Sequence, residues 1–264
     1  YQMHFDANTA RGSLNGGGGR ISLAAEGYGP IALYAGGTGK VEFKDIAVGD
    51  LGLQVRQPEV TSTDFRKQTI NDFYYSWGQA VADFSHNGHL DIISGPFIFY
   101  GPDFTKFREV FRGEATNPTT DFAMDSHEEF AGNFTGSGWP DLITVKFGGG
   151  PCVYLYVNSK GENRTWAKYP VVDSVQSELT TVADIEGPGR PALVYSGDGY
   201  VRYAEPDPAN PTGTWTIHNV SEKGYGAGHG IGAGDINGDG RLDILDPYGW
   251  WEQPASGSNQ ASWA

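Results

Sequence analysis

Nine residues, Asp235-Ile-Asn-Gly-Asp-Gly-Arg-Leu-Asp243, place side-chain oxygens at their first, third, fifth and ninth positions. When such a segment coils around a point, alternate positions face inward. The carbonyl of Arg241 at position seven joins them, and Gly240 at position six permits the sharp turn. Hard oxygen donors in that number suit calcium better than zinc or magnesium. An EF-hand opens the same way, and Asp246 even falls at its twelfth position. Three related segments carry Ser94, Thr144 and Tyr195 there, with no helical periodicity beside them, so the loops are expected between strands.

Those related segments start at Asp83, Asn133 and Asp184, which with Asp235 gives spacings of 50, 51 and 51 residues. The first offers Asp83, Ser85, Asn87, the His89 carbonyl and Asp91. The second offers Asn133, Thr135, Ser137, the Trp139 carbonyl and Asp141. In the third, Pro188 and Ala192 replace ligands, and Arg190 can pair with Asp184 or Glu186 in place of an ion. Ranked by carboxylates, the 235–243 loop is expected to bind calcium best, then 83–91, then 133–141, with the third loop ion-free.

Six residues before each loop start stand Trp77, His127, Glu178 and His229. Repeat-equivalent positions on an innermost strand converge around one channel, so two imidazoles and a carboxylate are expected to face each other. Such a set suits acid–base catalysis by His127, Glu178 and His229, or a transition metal at the channel rim. A wet channel lined by polar side chains is the other reading. Glu128, Glu129 and Tyr225 are near in sequence. His86 and His89 read as solvated loop residues, and Trp250 and Trp251 as packing groups in the core or between blades, with stacking on a sugar ring as their other reading.

The elements that must position these residues follow each loop. An apolar run (Ile92-Ile93, Leu142–Val145, Leu193–Tyr195, Ile244-Leu245) leads to an aromatic one, such as Phe97–Tyr100 or Val153–Tyr156, and then to a closing strand such as Phe107–Phe111, Trp166–Val171 or Trp215–Val220. Four strands per fifty residues is the size of a propeller blade. Thirty-nine glycines, 15 prolines, 7 Trp, 14 Tyr and 14 Phe fit many short strands with tight turns. The fold class expected is thus all-β, a β-propeller of four-stranded blades. About four are present, the last incomplete at Trp263, as part of a larger ring, with a short N-terminal β segment before them. A net charge of −14 disfavours nucleic acid and anionic membrane surfaces, and no apolar run is long enough to insert in a bilayer. Cys152 is the single cysteine, so no internal disulfide can form.

The loops resemble FG-GAP or VCBS repeats of integrin-like and bacterial propellers, whose loop reads Asp-x-Asn/Asp-x-Asp-Gly-x-x-Asp; the resemblance covers about residues 72–264. It implies seven blades in the parent ring and structural calcium. Residues 1–52 do not share the repeat. They hold a glycine-rich turn at Gly16–Gly19 and strands near Ile21–Ala24, Ile31–Tyr34 and Val41–Val48. The stretch from Gly29 to Leu51 resembles the closing strands of the jelly-roll domain of 3-keto-disaccharide hydrolases. The domain division expected is accordingly 1–52 and 53–264. The propeller also distantly resembles that of aldos-2-ulose dehydratases.

Together these resemblances imply a calcium-stabilised binding or scaffold module of a secreted or periplasmic bacterial carbohydrate-active protein, with a carbohydrate or other small polar ligand. A sugar lyase, dehydratase or hydrolase working at the His/Glu rim is the alternative. An integrin-like module with a protein partner is a further one.

Overall fold

The computed structural model describes residues 63–71, 73–113, 115, 126–146, 150, 152–226, 229–255 and 263 in full, and 2–6, 9–14 and 17–22 as backbone. The chain divides into two compact units, Tyr1–Asp72 and Phe73–Ala264. In the first, β1 (Gln2–Asp6), β2 (Thr9–Leu14) and β3 (Gly17–Ser22) make an antiparallel meander. The turn expected over Gly16–Gly19 is corrected here, because Gly17, Gly18 and Gly19 lie in β3 and pair with Leu14, Ser13 and Gly12. The strands expected at Ile31–Tyr34 and Val41–Val48, and the boundary at residue 52, lie outside the described residues.

The second unit is a succession of antiparallel meanders. The first sheet is β4 (Ala80–Ala82), β5 (Asp91–Ser94), β6 (Phe97–Tyr100) and β7 (Lys106–Glu109). The second is β8 (Glu128–Gly132), β9 (Asp141–Val145), β10 (Val153–Val157) and β11 (Ala167–Val172). The third is β12 (Thr181–Ala183), β13 (Ala192–Gly197), β14 (Tyr200–Glu205) and β15 (Thr216–Asn219). The fourth has β16 (Gly232–Gly234), β17 (Asp243–Asp246) and β18 (Gly249–Trp251) among the described residues. The architecture is all-β, and no helix among the described residues is long and apolar enough to cross a membrane.

The period-2 alternation of a strand decides which neighbour each side chain meets. One residue past each loop, Leu142, Leu193 and Ile244 face the preceding sheet; the next residues, Ile93, Ile143 and Val194, face the following one. Both faces of a middle sheet are therefore covered, and β9 and β13 are buried along their whole length.

The cores interlock by an offset of one repeat. A tryptophan just before an outermost strand packs under the sheet before it: Trp166 against Phe84, ring centroids 5.9 Å apart, and Trp215 against Phe134 at 5.3 Å. Trp263 packs on Tyr203 of the third sheet, ring centroids 6.1 Å apart. Phe84, Phe134, Ile185 and Ile236 occupy the second position of the four loops. The first three are buried, whereas Ile236 is half exposed on the face of the fourth sheet that no further described sheet covers.

First strands of neighbouring sheets also meet through backbone. Gly78 N–H donates to the His127 carbonyl at 3.0 Å. A Cβ on Gly78 would fall 2.8 Å from the Glu129 nitrogen, so only glycine allows this approach.

Candidate functional site

Each loop joins the first strand of its sheet to the second, and all four share one backbone plan. Position six is glycine with φ between +77° and +87° (Gly88, Gly138, Gly189, Gly240), a conformation other residues reach only at a cost. The position-one side chain accepts that glycine's N–H: Asp83 from Gly88 at 2.9 Å, Asn133 from Gly138 at 3.0 Å, Asp184 from Gly189 at 2.8 Å and Asp235 from Gly240 at 2.9 Å. Position four also has positive φ in every copy. It is glycine in three and His86, at φ 54°, in the first.

Position nine works differently. Asp91, Asp141 and Asp243 are fully buried, and each carboxylate spans two segments. One oxygen of Asp91 accepts Ser85 N–H at 2.9 Å and the other Gly101 N–H at 3.0 Å. Asp141 likewise holds Thr135 N–H and Asn158 N–H, and Asp243 holds Ile236 N–H and Gln253 N–H. The partners on the far side, Gly101, Asn158 and Gln253, all follow the third strand of their sheet. Burial pushes the Asp141 carboxyl up, while its hydrogen bonds from Asn158 and Thr135 pull it down.

Oxygen donors from positions one, three, five and nine thus share one turn, as calcium coordination requires. Ser85 Oγ is buried and has no hydrogen-bond partner among the described residues, which leaves a hard donor at position three of the first loop uncommitted. In the fourth loop the Arg241 guanidinium rests on the Asp239 carboxylate, and Arg241 N–H holds the Asp239 carboxyl below its usual range. These donor sets fit calcium. Among the described residues, no three His, Cys, Asp or Glu side chains are grouped as a metal site, and in the first two loops the donor sets are completed by hydroxyl and amide oxygens.

The third loop has its own charge balance. Arg190 pairs with Glu186 at 3.9 Å and with Glu205 at 2.9 Å, while Asp184 caps Gly189 instead of meeting Arg190. Glu186 accepts the Tyr203 hydroxyl at 2.7 Å, and His218 stacks on Tyr203 and reaches Glu205 at 3.2 Å. Of the partners expected for Arg190, Glu186 is met; Glu205 lies 15 residues away, beyond any local spacing rule.

At the opposite end of the strands the four register-equivalent residues are in contact. The Trp77 and His127 rings lie 4.6 Å apart, His127 Nε2 bonds the Glu178 carbonyl at 3.0 Å, and the Glu178 carboxylate bonds His229 Nδ1. His127 meets the backbone of Glu178 rather than its carboxylate, so the cluster is a chain and not a ring of donors. His229 is 83% exposed and Trp77 43%. Glu128 reaches across to Thr180, accepting its N–H and hydroxyl, and burial pushes its carboxyl up. Tyr225 packs edge-on to Tyr248 and Trp251. His86, read as solvated, is exposed but stacks face to face on Trp139 of the next loop, 3.8 Å between centroids and 6° from parallel.

Glu129 has a role that spacing did not show. Fully buried between the first two sheets, it accepts Gly95 N–H at 3.1 Å, with the Ser126 and Ser76 hydroxyls beside it. Burial holds its carboxyl well above the usual 4.5 despite those bonds. In acid, folded and unfolded chains both keep the proton and nothing is lost. As pH rises past about 4.5 the unfolded chain releases a proton that the folded one retains, so stability falls until the folded group ionises too. Glu129→Gln is therefore expected to unfold at a higher temperature than the wild type near pH 8, with the gap closing near pH 4. Thermal melts across that range check it.

No protein-family model matches the chain, and no curated protein does. Among solved structures, it is similar to an Agrocybe aegerita lectin described by its specific recognition of non-reducing terminal N-acetylglucosamine. The likeness has a TM-score of 0.46 at 18% identity, over 66% of this chain and 48% of the lectin, so the chain spans about half the lectin's length.

Proposed function

We propose that the second unit is a run of FG-GAP/VCBS-type propeller blades, stabilised by calcium and serving as a carbohydrate-binding module of an exported protein. The observation that carries this reading is the common plan of the loops: a capping side chain at position one, left-handed glycine at position six and, in three copies, a buried aspartate at position nine. Asp235, Asn237, Asp239, the Arg241 carbonyl and Asp243 would hold one ion. Asp83, Ser85, Asn87, the His89 carbonyl and Asp91 would hold another, with Asn133, Thr135, Ser137, the Trp139 carbonyl and Asp141 as a third set. Bound calcium supplies the positive charge that gathered carboxylates lack.

Calorimetric titration of metal-free protein tests the reading. Uptake of calcium is expected, with one ion fewer in the variant Asp235→Ala/Asp239→Ala. A wild-type chain that takes up none would end it.

On this reading the sugar would bind at the rim, away from the loops. An exposed aromatic face at Trp77, backed by the buried His127 ring on a rim that also carries the Glu178 carboxylate and the exposed His229, has the make-up of a saccharide surface. Trp77→Ala is expected to weaken sugar binding about tenfold, as read by glycan titration.

One observation favours a second reading, a lyase, dehydratase or hydrolase. The Glu178 carboxylate engages Nδ1 of a His229 side chain that is 83% exposed, the pairing by which a carboxylate orients an imidazole for proton transfer. Under that reading His229→Ala abolishes turnover; under the first it alters only affinity.

A further inference from the structure

The second and fourth sheets each send an amide side chain back to the loop before their own. Asn158 Nδ2 donates to the Phe84 carbonyl at 3.0 Å and to the Pro140 carbonyl at 2.8 Å. Gln253 Nε2 donates to the Ile185 carbonyl at 2.8 Å. Phe84 and Ile185 hold the same place, position two of the first and third loops. Both amide-bearing residues are also the ones whose backbone N–H is held by the position-nine aspartate of their own loop.

What lies beyond the carbonyl differs between the two pairs. The peptide from Phe84 to Ser85 is gripped at both ends, its carbonyl by Asn158 and its N–H by Asp91. An unbroken relay therefore runs from Thr135 through Asp141 and Asn158 to that peptide and on to Asp91, touching the position-three and position-nine residues of both loops, in the first through the Ser85 backbone N–H. From the fourth loop the relay through Asp243 and Gln253 reaches Ile185 and stops, because position nine of the third loop is Ala192, which has no carboxylate. Between the second and third sheets the third strand exits through Glu205 and Pro206. Neither carries an amide side chain, and the Glu205 carboxylate is taken by Arg190 and His218.

A second tie joins the same two loops. His86 stacks on Trp139 although its backbone adopts φ 54° at a position that is glycine in the other three copies. A non-glycine residue held there is strained unless its surroundings compensate, and the near-parallel stack at 3.8 Å is a contact the strained residue makes.

We propose that the first and second loops form one coupled calcium-binding pair, wired through the Phe84–Ser85 peptide and the His86–Trp139 stack, while the fourth loop takes its ion independently. The inference rests on the calcium reading above. An ion that fixes Asp141 and Thr135 also fixes Asn158, hence the Phe84–Ser85 peptide and Asp91, so part of the ordering cost of the neighbouring loop is met in advance.

The test is calorimetric calcium titration of the full metal-free chain carrying Asp235→Ala/Asp239→Ala, which silences the fourth loop. Two ions are expected, with a Hill coefficient above 1: about 1.4 for fivefold coupling between two sites of equal affinity, and lower as their intrinsic affinities diverge. His86→Gly restores the residue type of the other three copies, so it leaves the fold intact while removing the stack. Asn158→Leu removes the relay. Each is expected to bring the coefficient close to 1. Two ions binding with a coefficient of 1 in the silenced chain, a coefficient unmoved by both substitutions, or uptake of a single ion would each overturn the coupled pair while leaving calcium binding standing. No uptake even by the wild type would take down the calcium reading and the pair with it.

Discussion

Asp141→Ala is expected to destabilise the metal-free protein by about 2–4 kcal/mol, since the buried Asn158 amide would lose its acceptor at about 1–3 kcal/mol and the part-buried Thr135 amide at the low end of that range. For a unit of this size the melting temperature should fall by roughly 2–4 °C per kcal/mol. The Thr135 hydroxyl, 2.8 Å from the same carboxylate, loses its partner as well. Urea unfolding in the presence of a chelator measures the loss apart from any ion. The native counterexample is Ala192, at the same position of the third loop, where Arg190, Glu186, Glu205 and Tyr203 form a different set of contacts. An Asp141→Ala protein as stable as the wild type would mean the carboxylate is held only for a metal.

Trp215→Ala should cost about 3–5 kcal/mol, the usual toll for emptying a fully packed aromatic site. Its ring is 2% exposed, packs on Phe134, and donates Nε1–H to the Pro211 carbonyl at 3.1 Å; its backbone N–H bonds the Val171 carbonyl. Trp215→Phe keeps most of the packing and should lose distinctly less. Because the side chain belongs to the third sheet but fills the core of the second, the loss should appear as a lower urea midpoint with an unchanged slope, one cooperative transition weakening as a whole. A second transition would show instead that the sheets unfold separately.

The repeat was legible because its marks are local. A loop with glycine at a fixed place, followed by an apolar pair, recurs every 50 or 51 residues, and the strands that flank it fall where the runs of Ile, Val, Phe and Tyr put them. Trp77, His127, Glu178 and His229 were legible as a set because each stands six residues before its loop, a constant offset although the first strand itself is three residues long in three sheets and five in the second.

The staples were not legible. Asn158 lies 17 residues after its aspartate and Gln253 only 10 after its own, because the hairpin between β9 and β10 is longer than that between β17 and β18; no constant spacing marks them. The His86–Trp139 stack and the Arg190–Glu205 pair are likewise contacts across sequence distance. In the N-terminal unit, Gly17, Gly18 and Gly19 read as a turn on propensity but lie in a strand, where pairing with β2 overrides it.

The two kinds of inter-sheet contact are unevenly shared. Among the described residues, thirteen buried side chains fill the core between the second and third sheets, against nine and eight in the other two, yet that joint is the one whose third-strand exit carries no amide. Apolar burial weakens on cooling far more than hydrogen bonding does. The joint that is firmest in the warm is thus the one most sensitive to cold, and near freezing the unit should loosen first along its middle, into two pairs of sheets that each keep their amide tie.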